Sequence, residues 1–145
     1  MEPLSILKLN SFPLNSLLRF LFSVPVRRVR RPRISRHYQT HKEQARALVK
    51  SRLEHFNQFY GFSYGRVAIK NLRSRWGSCS QKRNLNFNYR ILFLPTDLQD
   101  YVIVHELCHL AEFNHSAQFW AQMQRVMPDA RQRRTELRRF NQISL

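Results

Sequence analysis

The eleven residues HELCHLAEFNH, His105 to His115, hold three of the six histidines in the chain. Read as helix, they leave little freedom. His105 and His109 are four residues apart, about 400° of rotation, so their rings project from one face a turn apart. Two imidazole nitrogens so placed suit a single Zn2+. Glu106 lies about 100° round the helix. That is near enough to reach water beside the ion without binding the ion, which makes it the natural general base. A third ligand must come from elsewhere. His115 would point away if the helix ran on. A helix ending at Phe113, with Asn114 in a left-handed C-terminal cap, would turn the chain and return His115 to the metal. Three protein ligands leave one coordination position for water, the pattern of a catalytic zinc.

Accident explains the motif poorly. With six histidines and six glutamates in 145 residues, HExxH arises in roughly 0.01 of shuffled chains of this composition. Cys108 is an alternative soft ligand, but a small filler facing the core suits it better.

The elements around the motif follow from periodicity. Ala45, Leu48, Val49, Leu53, Phe56 and Tyr60 recur at three- and four-residue steps, so a helix is expected from about Thr40 until Gly61 stops it. Val67 to Lys70 reads as a short strand, and RSRWGSCSQKRN, residues 73 to 84, as a loop. Leu85, Phe87, Tyr89 and Ile91 alternate with Asn86, Asn88 and Arg90, a half-buried strand with one polar face. Thr96 with Gln99 forms a capping box for a helix from about Asp97 to Phe113. Ser116 caps another, with Phe119, Trp120 and Met123 inward, and a last helix runs from about Asp129 to Phe140. The class is α+β, helices packed on a small sheet.

Charge suggests what the partner is like. The formal net charge is +16, with twenty arginines against five lysines. Arginine suits bidentate contact with phosphate and carboxylate, so an anionic partner is expected unless the charge merely solvates the surface. Six arginines between Arg27 and Arg36 read as an extended arm around Pro32. With the broken apolar run before it, interrupted by Pro13, Arg19 and Pro25, the arm makes residues 1–37 a short basic N-terminal element. Residues 38–145 then form the main domain. The run is too interrupted for a transmembrane helix and a poor secretory signal. Two cysteines, Cys79 and Cys108, make no disulfide framework, so a reducing, cytoplasmic setting is expected.

SRWGSCS, the strand NLNFNYRI, then LPTDLQDYVIVHELCHL and NHSAQFW together resemble the YgjP-like metallopeptidase family, related to the SprT and WLM zincins. The resemblance spans roughly residues 38 to 140. It implies a minimal zincin-like fold, with the small sheet packed against the HExxH helix and further helices. It also implies zinc on His105, His109 and His115, with Glu106 catalytic. In zincins the strand before the metal helix lines the cleft, so Leu85–Ile91 is expected to offer its edge to an extended peptide. Arg73, Arg75 and Ser78, in the Gly-Ser loop, are candidates for gripping an anionic group of the substrate. Trp76 reads as a packing anchor and Phe119-Trp120 as core.

The expected activity is a zinc-dependent hydrolase, foremost a metallopeptidase acting on peptide or protein. The second reading is a metal-dependent nucleoside triphosphate pyrophosphatase, with arginines neutralising phosphate. A DNA-associated protease is the third, through nucleic-acid contact of the Arg-rich segments at 27–36 and 131–139.

Overall fold

The computed structural model describes residues 35–144, all within one compact unit. The expected basic N-terminal element lies outside the described residues, as does its arm up to Arg33. The first helix, α1, runs Arg36–Tyr60 and buries Ala45, Val49, Leu53 and Phe56, one apolar stripe at the helical period. Arg36 is thus the first residue of a helix, not the last of an arm. Gly61 ends α1 at φ 65°, its N–H donating to the Asn57 carbonyl at 2.7 Å. That left-handed turn is the conformation a Cβ disfavours.

Three strands follow: β1 (Val67–Lys70), β2 (Gly77–Cys79) and β3 (Leu85–Asn88). Their order is β1-β3-β2, with β3 parallel to β1 and antiparallel to β2. Val67 lies beside Leu85 and Ile69 beside Phe87; across the other edge Gly77 faces Phe87 and Cys79 faces Leu85. Two expectations change here. The Ser-Gly-Arg loop contains a strand, β2. And β3 is the central strand, so neither of its edges is open to a peptide; β1 and β2 hold the two sheet edges.

β3 also stops early. Asn88 accepts the Arg90 N–H at 3.2 Å through its side chain and starts a 3-10 turn, Tyr89–Phe93. The inward set Leu85, Phe87, Tyr89 and Ile91 is buried as the alternation requires, but Asn88 is buried too. Its side-chain amide donates to the carbonyls of Leu72 at 2.8 Å and Arg75 at 3.1 Å, and its N–H donates to the Trp76 carbonyl at 2.7 Å. Asn88 therefore fastens the segment leading into β2. The polar face of the strand is partly a set of tethers.

The second helix, α2 (Thr96–Cys108), is buried on nearly every side: Leu98, Tyr101, Val102, Ile103, Val104, Leu107 and Cys108. A helix apolar all round belongs at the centre of a fold, and α2 packs against α1 and β2. The expected capping box does not form. Pro95 occupies the cap position without a side-chain bond, and Gln99 donates to the Leu94 carbonyl at 2.9 Å. Two further helices close the unit, α3 (Ala117–Val126) and α4 (Ala130–Ser144). Ser116 caps α3 as expected, its Oγ accepting the Phe119 N–H at 3.3 Å. Burying large side chains such as Phe87, Phe119, Leu53 and Leu107 stabilises by about 1.5–3 kcal/mol each. Among the described residues, no helix is long and apolar enough to cross a membrane.

Candidate metal centre

α2 carries His105 in its last turn, and His109 is its C-terminal cap residue. The helix ends five residues before the expected Phe113. The chain then leaves through tight turns, Leu110 N–H to Leu107 O at 3.0 Å and Ala111 N–H to Cys108 O at 3.1 Å. Among the described residues only Arg83 and Gly61 have positive φ, so Asn114 is not in a left-handed cap. Its carbonyl instead accepts the Ser116 N–H at 2.8 Å. His115 is returned by a longer path than a single cap, from an early helix end to the residue before the α3 cap.

The result is a convergence of three imidazoles. The His105 Nε2 lies 3.1 Å from the His109 Nε2 and 3.2 Å from the His115 Nε2. Their ring centroids are 4.7 to 5.0 Å apart, and Phe119 in the first turn of α3 packs against all three. The His109 Nδ1–H donates to the Glu112 carbonyl at 2.9 Å, and the His105 Nδ1 faces the Tyr101 hydroxyl at 3.4 Å. A partner on Nδ1 fixes the ring and leaves the Nε2 lone pair free.

Nε2 lone pairs turned toward one another at such distances repel unless a proton or a cation lies between them. Zinc held tetrahedrally at 2.0–2.1 Å places its nitrogens roughly 3.3 Å apart, close to the spacing here. Burial above all, then His109, His115 and Arg134, pushes the His105 pKa down to about 3. Burial, His109 and Arg134 depress that of His115 as well. Both rings are then neutral at ordinary pH and able to ligate. The three histidines fit a metal ion.

Glu106 is buried, at 5 % exposure, and its Oε2 has no hydrogen-bond partner. Burial pushes its pKa up to about 8, with Arg75 pulling weakly the other way. Its neighbour across the site is Gly77 of β2. A Cβ built on Gly77 would lie 2.5 Å from Glu106 Oε1 and 2.7 Å from Cγ. Gly77, Ser78, Cys79, Glu106, His109 and Phe113 line a cleft of about 220 Å3. Of the three loop candidates, Ser78 is in the cleft wall and accepts from the Asn86 side chain at 3.2 Å. Arg75 is exposed but close enough to act on Glu106. Arg73 is exposed and does not line the cleft.

Two residues escaped the sequence reading. Gly77 carried no local signal beyond being glycine, and Asn88 sat where alternation predicts solvent. Trp76 packs against the core as expected. Phe119 and Trp120 are core, though Phe119 is also the floor under the imidazoles. Cys108 is fully buried and donates to the Tyr60 hydroxyl at 3.6 Å, away from the imidazole cluster.

The sequence pattern of the YgjP-like metallopeptidase domain matches residues 23–140. The chain belongs to the YgjP-like metallopeptidase family. With membership come a metal cofactor, hydrolase chemistry and a peptide substrate. The fold of this YgjP-like domain is similar to that of two archaeal zymogens. The metallopeptidase zymogen of Pyrococcus abyssi abylysin is 25% identical with a TM-score of 0.56, the match covering 61% of this chain and 90% of that one. The metallopeptidase zymogen of Methanocaldococcus jannaschii jannalysin is 20% identical with a TM-score of 0.55, covering 66% of this chain and 96% of that one. No curated protein matches the sequence.

Proposed function

We propose that the chain is a zinc-dependent peptidase in which His105, His109 and His115 hold the ion through Nε2 and Glu106 is the general base. The observation that carries this is the approach of three Nε2 atoms, 3.1 and 3.2 Å about His105, beside a buried carboxylate oxygen without a partner. Bound there, zinc supplies a Lewis acid and makes water acidic enough to react near neutral pH.

The chain's own residues do the rest. Glu106 accepts a proton from the attacking water through Oε2 and returns it to the departing amine. Burial makes this carboxylate a better base than an exposed one, while a nearby divalent charge opposes the rise in its pKa. Tyr101 and the Glu112 carbonyl hold the rings of His105 and His109 in place. An extended peptide adds to the open edge of β2, whose only strand partner among the described residues is β3, with backbone hydrogen bonds along the cleft wall. Peptide suits the cleft better than a nucleoside triphosphate, because no arginine is among the residues that line it.

The test is Glu106→Gln in the zinc-loaded protein. Zinc content by elemental analysis should stay at the wild-type level. Peptide turnover should fall by on the order of 10² to 10⁴, the usual worth of a positioned base. Wild-type turnover in this variant overturns the assignment.

A further inference from the structure

The arginines of α4 divide into two sets. At about 100° per residue, Arg131, Arg134 and Arg138 fall within an arc of roughly 60°, while Arg133 lies on the far side. Arg133 is fully engaged: it reaches the Asp129 carboxylate at 2.8 Å, the Asp97 carboxylate at 3.7 Å and the Asp97 carbonyl at 3.0 Å. Arg131, Arg134 and Arg138 have no ion pair among the described residues. Two of them are instead laid on an aromatic face. Their guanidinium carbons sit 4.5 Å (Arg131) and 5.3 Å (Arg134) from the Trp120 ring centroid, a contact that holds a cation in place without neutralising it.

This stripe adjoins the imidazole cluster. The Trp120 ring is 6.3 Å from that of His115. The charge of Arg134 reaches His105, His115 and Tyr101, and that of Arg138 reaches Tyr101. Arg131 to Arg138 spans seven residues, about 10.5 Å of helix, the length of about three residues of extended peptide. Three cations without an ion pair among the described residues, two of them held on Trp120, next to a site for a divalent ion call for an anion. Nucleic acid fits less well than peptide. Trp120 is only 6 % exposed and its ring is already covered, so it offers no platform on which a base could stack.

We infer that Arg131, Arg134 and Arg138 form an acidic-side-chain subsite that selects peptides with Asp or Glu close to the bond cleaved. This rests on the reading of the site as a peptidase centre. The test uses the full chain as Glu106→Gln, zinc-loaded, with fluorescence anisotropy of two labelled, C-terminally amidated peptides of identical length. One carries three Asp and the other three Asn at the same positions. The Asp peptide should bind about tenfold tighter or better, the worth of a charge-assisted contact. Arg134→Gln and Arg131→Gln should bring the ratio near one, and Arg134→Lys should keep most of it. Arg66→Gln, an exposed arginine on β1's approach, should leave the ratio unchanged.

Equal affinity for the two peptides overturns the subsite. So does an equal loss in Arg66→Gln, which would mean general attraction to net charge. Tighter binding of a single-stranded oligonucleotide with the same arginine dependence overturns it as well. Cleavage of the same peptides by the zinc-loaded wild type is read separately. Selective binding without cleavage sinks the peptidase reading and leaves the subsite; cleavage without selectivity does the reverse.

Discussion

Gly77→Ala asks whether the base is held where the chemistry needs it. The added methyl has a defined collision. At its ideal position the Cβ would be 2.5 Å from Glu106 Oε1, 2.7 Å from Cγ and 2.8 Å from Cδ. Ordinary contact begins near 3.4 Å, so these atoms must retreat by between 0.6 Å (3.4 less 2.8) and 0.9 Å (3.4 less 2.5). Gly77 is in a strand without positive φ, so alanine meets no backbone obstacle and the effect is steric. Displacing a reacting group by about 1 Å costs on the order of 10² in rate, and kcat should fall by about that factor. Overpacking should cost about 1–3 kcal/mol of stability. Zinc content should not change, because the three atoms nearest the added methyl all belong to Glu106 and none to a histidine. The assay is kcat and KM on a quenched fluorescent peptide, with elemental analysis and a thermal melt on the same sample. Adding Gly77→Ala to Glu106→Gln should lower the rate no further, since both act through one side chain. A folded Gly77→Ala protein with kcat within twofold of wild type refutes the reasoning.

Three other outcomes are expected. His115→Ala should lower zinc affinity by at least tenfold with little change in the far-UV circular dichroism, because His115 is exposed and its loss leaves two ligands. Asn88→Ala should cost about 2 kcal/mol in urea unfolding, because it orphans the Leu72 and Arg75 carbonyls. It should also reduce kcat by loosening the approach to Gly77. Asp100 has its pKa raised by burial, against the pull of Arg52 and Arg133; its Oδ1 is 3.4 Å from Arg52 Nε yet lacks a hydrogen bond. A raised folded-state pKa means stability is lost as pH climbs from the ordinary carboxylate value through the raised one. Asp100→Asn should therefore raise Tm at pH 7, an advantage that shrinks as the pH falls toward 4.

What could be read from the chain alone was local. The stripe of α1, its Gly61 stop, β1, the Ser116 cap and the spacing of His105, Glu106 and His109 depend on residues within a turn or two of each other. Three things depended on contacts far apart in sequence. β2 is three residues long and shows no alternation, so only its ladder with β3 defines it. Gly77 matters because α2 brings Glu106 against it from 29 positions away. Asn88 is buried because a distant loop presents carbonyls to it. His115 does lie beside His105, but by a different bend from the one expected: a left-handed Asn114 was the shortest local solution, whereas the chain uses the start of α3 to place it.

That placement has a mechanical consequence. The third imidazole belongs to the residue just ahead of the Ser116 cap, and Phe119 beneath the cluster is held by the same turn. A cation bridging positions 105 and 115 would staple the nine intervening residues between the end of α2 and the start of α3, removing the entropy of an open loop. Fraying the first turn of α3, for instance by taking away the Ser116 hydroxyl, should hasten metal escape. Conversely, loading the ion should protect the Phe119 and Trp120 amides from hydrogen exchange.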